Sequence, residues 1–158
     1  MKRLRHKNGG LDDVDIAILT ALAANARVTV ADLARDIGLS SPSAAERVKR
    51  LEEAGVIRGY HADIDPATIG LPLAVTIRIR PMPGQLQKVA TLLGKLAAIV
   101  ECSRVTGDDC FVAIAHVASV AEMEALIDKI IPFATTNTSI IQSSVVARRM
   151  PAMARGRG

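Results

Sequence analysis

Residues 40–55 read SSPSAAERVKRLEEAG, and this stretch decides how the first half of the chain folds. Ser41 followed by Pro42 is typical of a helix start, with the serine as N-cap and the proline at the first helical position. Gly55 is typical of a helix end. The stretch therefore predicts one helix of about three turns between these residues.

The two sides of this predicted helix differ in chemistry. Helical spacing places small and branched apolar residues on one side: Ala45, Val48 and Leu51. Polar and charged residues occupy the other side at i, i+3, i+4 and i+7: Ser43, Glu46, Arg47 and Arg50, with Lys49 beside them. We expect the apolar side to pack inward and the polar edge to face solvent or a partner.

Two further helices are predicted before this one. The stretch LDDVDIAILTALAANA (11–26) has apolar residues at helical spacing, and Asp12 or Asp13 can serve as its N-cap. The stretch TVADLARDIG (29–38) opens with Thr29 and has Asp32 three residues later, which resembles a capping box. A short Gly-Leu-Ser turn at 38–40 joins it to the third helix, and this order predicts a helix-turn-helix unit.

The second half of the chain changes its hydrophobic period. Residues 71–81, LPLAVTIRIRP, alternate between apolar and polar side chains, as expected for a strand with one buried face. The remaining predicted elements are a helix at 85–97, strands at 99–105 and 110–117 around the turn TGDD, a helix at 119–131 and a strand at 136–148. The order β-α-β-β-α-β predicts a ferredoxin-like domain, and an α+β fold for the whole chain.

Five segments follow from these patterns. Residues 56–65 read as a strand or an extended connector, and DPATIG (65–70) is a turn cluster. We expect the first domain to be a three-helix winged helix-turn-helix domain. We expect a basic N-terminal tail at 1–10, a helix-turn-helix domain at 11–64, a linker at 65–70, a second domain at 71–148, which the family resemblance described below makes a ligand-sensing and oligomerisation domain, and a basic tail at 149–158.

The positive charge of the chain lies in its tails. The 158 residues carry a net charge of +4, and four basic residues lie within 1–10 and four within 148–158. Those eight are Lys2, Arg3, Arg5, Lys7, Arg148, Arg149, Arg155 and Arg157. The middle of the chain keeps 12 basic against 16 acidic residues, so a case for DNA binding must rest on local geometry.

The composition argues against several classes of function. Aromatic residues make up 2% of the chain, which leaves few platforms for stacking single-stranded nucleic acid or RNA. Cys102 and Cys110 lack metal-ligand spacing, and we expect reduced thiols and no metal or cofactor. No apolar run approaches the roughly 20 residues of a membrane span, so we expect a cytoplasmic protein.

The outer edge of the third helix suits duplex DNA. A major groove admits one helix, whose inner edge has to be small at its start and polar along one stripe. Ser43 can meet phosphate or base near the helix N-terminus, and Glu46 can accept from a cytosine amine or orient Arg50. The residues assigned to DNA binding are Ser41, Ser43, Glu46, Arg47, Lys49 and Arg50.

The chain resembles the Lrp/AsnC, or feast/famine, family of transcriptional regulators across about residues 11–148. The matching motifs are the opening LDDVD (11–15), the segments 25–27, 33–34 and 38–40, and LEEAGVI (51–57). The resemblance implies a regulator that binds double-stranded DNA, dimerises through its sensing sheet and assembles into octamers or similar rings. It also implies an amino acid or similar small effector, bound between dimers.

The effector site is assigned by the same resemblance. The family places it near a glycine-centred hairpin turn, here VTGDDCF (105–111), and a Thr/Ser-rich run before the last strand, here TTNTS (135–139). The implied residues are Gly107, Asp108, Asp109, Thr136, Thr138 and Ser139. This chain has Cys110 where many members carry an acid, so either a neighbouring aspartate replaces that acid or the effector is not an ordinary α-amino acid.

Two other functions remain open from the sequence. An architectural protein that wraps or bridges DNA would need the same helix but little sequence preference. Sirohaem decarboxylases share the two-domain layout, but their chemistry needs histidines and basic groups around a tetrapyrrole. The histidines here are dispersed at His6, His61 and His116, and no catalytic constellation accompanies them, so we expect no enzymatic activity.

Overall fold

The chain divides into two compact units. The computed structural model describes residues 10–146, 149 and 151, and the boundary between the units falls between Ala62 and Asp63. Each unit has its own apolar cluster, so each is described by itself. The two basic tails, with His6, lie almost wholly outside the described residues.

Three capped helices form the first unit: α1 (Asp13–Ala24), α2 (Val30–Asp36) and α3 (Ser41–Glu53). The side chains of Asp12, Thr29 and Ser40 cap them, each accepting from the backbone N–H three residues later. The prediction of Ser41 as the N-cap of α3 was therefore wrong by one residue. Ser40 takes the extended cap conformation, and Pro42 occupies the second helical position.

The second helix departs from a full capping box. Thr29 accepts from the Asp32 N–H, but the Asp32 carboxylate accepts from the Thr29 hydroxyl and not from its backbone. The helix still begins where the sequence predicted, because the threonine cap alone satisfies one of the unpaired N–H groups of the first turn.

The core of the first unit brings one buried residue from each helix together. Ile18, Leu33 and Leu51 are at most 2% exposed and form one cluster. On α3 the second buried residue is Ala44, two turns before Leu51, whereas Ala45 is exposed. The predicted inward position of Ala45 was wrong, because Ala44, four residues before Val48 and seven before Leu51, is the residue that shares their inward face.

Two glycines allow α2 and α3 to end sharply. Gly38 has φ +70°, and the N–H groups of Gly38 and Leu39 donate to the carbonyls of Arg35 and Ala34. This pattern is a Schellman motif, and it reverses the chain within the two residues before the Ser40 cap. Gly55 ends α3 in the same way, with φ +69°. The Gly38 turn fixes how α3 leaves α2, and so positions the polar edge of α3.

The connector after α3 is not a strand. Residues 56–65, all of which the structure describes, lack strand pairing. Residues Pro66–Ile69 form one 3-10 turn capped by Asp65 and belong to the second unit. The break between units thus lies two residues before the predicted linker at 65–70.

The second unit is a four-stranded antiparallel sheet with two helices. Its elements are β1 (Leu73–Pro81), α4 (Leu86–Leu93), β2 (Ile99–Arg104), β3 (Phe111–Val117), α5 (Val120–Asp128) and β4 (Ala134–Ile140). The strand order is β2-β3-β1-β4, with every neighbouring pair antiparallel. The element order and this strand order agree with the predicted ferredoxin-like arrangement.

One face of the sheet packs on the two helices. Val75, Ile77 and Ile79 from β1 are fully buried, as are Ala113 and Ala115 from β3. They form a cluster with Val89 and Leu93 of α4 and Leu126 and Ile130 of α5. The opposite face, called the open face below, carries Ala74, Thr76, Arg78 and Arg80 of β1 and Val112, Ile114 and His116 of β3.

The last strand differs most from its prediction. It spans residues 134–140 and not 136–148, so the TTNTS run (135–139) lies within β4 and not before it. Residues 141–146 continue beyond the strand, and Val145 is 97% exposed. These residues therefore add no strand surface to the open face. Among the described residues, no helix is long and apolar enough to cross a membrane.

Candidate nucleic-acid interface

The outer edge of α3 is exposed along most of its length. Ser41, Ser43, Glu46, Lys49 and Arg50 are all exposed, while Arg47 is partly buried. The first turn presents only small side chains, because Pro42 and Ala45 are the other exposed residues there. A helix that begins with small side chains can bring its backbone close to a phosphate or a base edge.

The serine cap links two of the assigned residues. The Ser40 hydroxyl accepts from the Ser43 N–H at 3.4 Å, and the two hydroxyl oxygens lie 2.9 Å apart. This bond holds the Ser43 side chain at the start of the helix. Ser43 keeps hydrogen-bonding capacity for a partner, since a hydroxyl has one donor and two acceptor positions.

Arg47 contacts the first helix. Its Nη1 donates to both carboxylate oxygens of Asp12, at 3.0 and 2.7 Å, and to Oδ1 of Asp15 at 2.9 Å. The side chain of Arg47 is only 29% exposed. The sequence placed Arg47 on a free polar edge, but its guanidinium lies against the N-terminus of α1. Arg47 therefore lies at the border of the exposed polar edge of α3.

One nitrogen of the Arg50 guanidinium is bound by Asp15, and about half of the side chain is exposed to solvent. Its Nη2 donates to both oxygens of Asp15, at 2.9 and 3.2 Å, and its side chain is 54% exposed. The predicted partner across one helical turn was Glu46, but the carboxylate that orients Arg50 belongs to Asp15 of α1. Glu46 is exposed and has no ion-pair partner among the residues described.

Asp12, Asp15, Arg47 and Arg50 together form what we call the α1–α3 ion cluster. Asp15 is 4% exposed, and no other charged residue among those described is buried. A buried carboxylate is costly unless cations and hydrogen-bond donors surround it, and here two guanidinium groups do so. The α1–α3 ion cluster thus fixes the rotation of α3 against α1.

The ion cluster shifts the ionisation of its outer members. Hydrogen bonding from Arg47, and then the Asp15 N–H, holds the pKa of Asp12 below its ordinary value of 3.8. The same pairing with Asp12 and Asp15 raises the pKa of Arg47 above its ordinary value. Each shift favours the charged form of its group, so the ion pair between Asp12 and Arg47 is kept at neutral pH.

Acid should weaken the first unit through Asp12. A carboxyl whose pKa is lower in the folded state stabilises that state above the unfolded pKa of 3.8, and the contribution disappears as the pH falls through the lowered pKa. We expect Asp12→Asn, which keeps a capping side chain, to lower the thermal midpoint of the unit at neutral pH. The difference from wild type should shrink as the pH falls below 3.8 and through the lowered pKa of Asp12. Because Asp12 is half exposed, the effect should be under about 1 kcal/mol.

Thermal unfolding followed by circular dichroism between neutral pH and about pH 2.5 checks this expectation. Asp13→Asn is the matched control, because Asp13 lies beside Asp12, is exposed and has no ion pair in the described structure. A difference between Asp12→Asn and wild type that persists at low pH would show that the lowered pKa is not its cause.

The rest of the first unit offers little free positive charge. Residues 10–62 contain 6 basic and 8 acidic residues. The Lys49 Nζ lies 3.7 Å from the Glu53 Oε1, and Arg35 forms an ion pair with Asp32 within α2. The described part of the first unit therefore carries no excess of positive charge that would attract DNA at long range.

The proposed effector turn is built from two arginine–aspartate pairs. Gly107 has φ +103°, which a tight hairpin turn requires of a glycine. The Arg78 Nε donates to the Asp109 carboxylate at 2.7 Å, and the Arg80 Nε donates to the Asp108 carbonyl at 2.7 Å. The Asp108 side chain is 92% exposed, so its carboxylate is the less committed of the two.

The structure does not bring all six effector candidates onto one surface. Thr136 and Thr138 pair with Ile79 and Ile77 and are partly buried on the helix-covered side of β4. Ser139 is exposed on the open face, where Thr135 and Asn137 are the residues opposite Arg80 and Arg78. Sequence reasoning missed these two β4 residues and both arginines, because the strand register was needed to place them.

Cys110, at the position where many family members carry an acid, has apolar surroundings. It packs against the apolar cluster of the second unit, and its N–H donates to the Ile79 carbonyl. No group of three or more potential metal-ligating side chains occurs among the residues described. His61 lies in the connector, and His116 lies on the open face of β3, so the described histidines are not gathered into one site.

Comparisons with known proteins agree with this division. Residues 11–58 match the family model described as winged helix-turn-helix DNA-binding, and residues 74–151 match the Lrp/AsnC ligand binding domain. The HTH-type transcriptional regulator LrpA of Mycobacterium tuberculosis is 35% identical over 83% of this chain and 88% of its own length. The leucine-responsive regulatory protein of Haemophilus influenzae is 36% identical over 80% of this chain and 78% of its own length.

A solved structure gives the same comparison in three dimensions. It is a feast or famine regulatory protein from M. tuberculosis complexed with L-methionine. The superposition has a TM-score of 0.85 at 32% identity, and covers 90% of this chain and 99% of the other. The likeness extends through both units.

Proposed function

Because the chain belongs to the Lrp/AsnC family of transcriptional regulators, we propose that it binds duplex DNA with sequence preference through the outer edge of α3. We further propose that an amino acid or a similar small effector changes its oligomeric state or its DNA affinity. The observation that carries the DNA proposal is the exposed edge of α3, held rigidly by caps, core and ion cluster.

Contacts on this edge divide by chemistry. Ser41 and Ser43 lie at the helix N-terminus, where the free N–H groups and the helix dipole favour phosphate. Glu46, Lys49 and Arg50 lie further along and carry the groups that bind base edges in the major groove. Arg47 is proposed to support this edge from its border with α1, not to read a base.

A homodimer is the proposed DNA-binding form. The open face of the sheet carries Val112 and Ile114, which are only partly buried and have no helix over them in the described chain. A second subunit is the simplest cover for such a face, and further assembly to an octamer or similar ring is proposed from the family resemblance. A two-fold dimer would present two α3 helices to half-sites about 34–36 Å, or a multiple of that, apart.

The effector proposal rests on the hairpin turn and the adjacent strand. The relative of known structure was solved with L-methionine, which makes an amino acid the first probe to try. In this chain Asp108 is the acid best placed to receive an amino group, since Asp109 is paired to Arg78 and Cys110 is apolar in its packing. Gly107, Thr136, Thr138 and Ser139 stay candidates from the resemblance.

In-vitro selection of bound DNA from a random-sequence pool tests the proposal. The selection is run without effector, with L-methionine and with a mixture of amino acids. A recurring, two-fold symmetric motif would support sequence-specific regulation, and a change in recovery with an amino acid would support effector control. A broad pool with no motif, bound equally well in the presence of scrambled competitor, would favour the architectural alternative.

The N-terminal tail should supply attraction without sequence choice. Lys2, Arg3, Arg5 and Lys7 carry four positive charges, and residues 1–10 contain no acidic residue. Replacing all four with glutamine should lower the slope of log affinity against log salt concentration by about 3–4 for each subunit bound. Affinity should fall equally for a selected duplex and a scrambled one in fluorescence anisotropy. A change in the selected motif would contradict this role.

The proposed site of action is the cytoplasm, where the DNA of a bacterial or archaeal cell lies. The two-domain layout is shared with sirohaem decarboxylases, but the curated relatives above are transcriptional regulators. We therefore propose no enzymatic activity. Absorbance changes on mixing the protein with sirohaem would contradict that.

A further inference from the structure

Asp15 has more hydrogen bonds from cations than its position at a helix start requires. Capping of α1 is performed by Asp12, whose side chain accepts from the Asp15 N–H at 2.7 Å. The Asp15 carboxylate completes this capping box by accepting from the Asp12 N–H at 3.5 Å, and it also accepts from Arg47 and Arg50, two residues of α3. Asp15 therefore has a function toward α3 that capping does not explain.

The two arginines are held to different degrees. Arg47 is mostly covered and binds both aspartates through Nη1. Arg50 is 54% exposed and is bound through Nη2 alone, so its Nε and Nη1 donors have no partner among the residues described. An arginine held at one nitrogen loses side-chain freedom while its remaining donors stay available. This is the arrangement expected of a side chain oriented in advance for a second, planar partner.

We infer that Asp15 is a positioning residue for DNA reading, acting through Arg50. Its buried carboxylate fixes the Arg50 guanidinium at the surface of α3, with Arg47 as the second counter-charge that makes burial of Asp15 tolerable. The free donors of Arg50 then meet the DNA in one orientation. This role rests on the proposed function, because Asp15 can position Arg50 for DNA reading only if the protein prefers certain DNA sequences.

The balanced charges of the α1–α3 ion cluster distinguish positioning of Arg50 from general electrostatic attraction to DNA. The two aspartates of the cluster offset the two arginines, so the cluster adds little to the long-range field that attracts any DNA. Removing the charge of Asp15 should raise attraction to DNA in general while releasing Arg50 from its orientation. A purely structural role would instead weaken binding to all sequences together.

The test compares a duplex selected by the wild-type protein with a scrambled duplex of the same length and composition. For Asp15→Asn we expect affinity for the selected duplex to fall and affinity for the scrambled duplex to hold or rise. The ratio of the two should drop by about tenfold, the range expected for losing one well-oriented arginine contact. Asp13→Asn, which removes an exposed acid from the same helical turn that has no ion pair with any described residue, should leave the ratio unchanged.

Epistasis with Arg50 distinguishes positioning from structure. Arg50→Ala should itself lower the ratio, and adding Asp15→Asn to it should lower the ratio no further. If the two losses multiply, or if Asp15→Asn alone keeps the wild-type ratio, the inference is wrong. Measurements are made well below the thermal midpoint of each variant.

A second variant keeps the test decisive if Asp15→Asn does not fold. Arg50→Lys changes a half-exposed residue and retains its charge, but a lysine bound to Asp15 has no planar donor edge left for a base. Arg50→Lys should lower the ratio of selected-duplex to scrambled-duplex affinity by about tenfold, and its affinity for the scrambled duplex should match that of wild type. An unchanged ratio would overturn the inference. A wild-type protein that selects no motif would instead overturn the proposed function, and this inference with it.

Discussion

Leu51→Ala is expected to unfold the first unit and abolish DNA binding while the second unit stays folded. Leu51 is fully buried and contacts Ile18 and Leu33, the buried residues of the other two helices. Truncating a buried leucine to alanine costs about 2–5 kcal/mol. A domain of this size is stable by only about 3–8 kcal/mol, so much of the unit would be unfolded. The α3 edge could not then be presented to DNA.

Two-dimensional NMR spectra of the labelled protein measure this outcome by unit. Signals from residues 10–62 should collapse toward unfolded positions, and those of the sheet should keep their dispersion. Val30→Ala is the matched control, since Val30 is an aliphatic residue of the same unit with 43% exposure and should cost under about 1 kcal/mol. Full DNA affinity in Leu51→Ala would mean that α3 does not depend on this core.

Ile77→Ala is expected to have the converse effect. Ile77 lies in the middle of β1, the strand flanked by both β3 and β4, where it pairs with Ala113 and Thr138. Its side chain is fully buried between the sheet and the two helices. A loss of about 2–5 kcal/mol should open the sheet and abolish dimer formation and any effector response. The first unit should remain folded.

Sedimentation velocity and the same NMR spectra follow this variant. Ile140→Ala is the matched control, because Ile140 is the last residue of β4 and is 47% exposed. We expect the control to keep its assembly, and Ile77→Ala to sediment as a monomer with an intact helical unit. A fully assembled Ile77→Ala protein would show that the open face is not the dimer interface, or that the sheet tolerates this cavity.

The positions of the helices could be predicted because their signals are local. Capping residues and the glycines that end α2 and α3 act within a few residues, so α2 and α3 were located to within one residue. The one-residue error at Ser40 did not change the predicted inward face of α3. Val48 and Leu51 were assigned to it correctly, and only the residue one helical repeat earlier was misassigned, to Ala45 where Ala44 is buried.

The ion cluster could not be predicted from the same signals. Its bonds join α1 to α3 across more than 30 residues, and sequence reasoning treated Asp12 as a capping candidate only. The one available sign was the spacing of Asp12 and Asp15, which places two acids on one side of the first turn of α1. Their partners depended on how α1 packs against α3.

The effector candidates illustrate the same limit in the sheet. The TTNTS run was identified, but alternate residues of a strand point to opposite faces, so Thr136 and Ser139 lie on different sides of β4. The alternation of β1 was predicted in the right register because its apolar residues mark the buried face. β4 carries no such marking, since its strand residues are mostly threonine, serine and asparagine.

The central claim is that the outer edge of α3 chooses the DNA sequence. The direct measurement is in-vitro selection with a Ser43→Ala, Glu46→Gln, Lys49→Gln variant, which leaves the ion cluster intact, beside wild type and the exposed-residue control Arg27→Gln. We expect the triple variant to select a changed or relaxed motif and the control to select the wild-type motif. A triple variant that recovers the wild-type motif unchanged would show that α3 does not read the sequence.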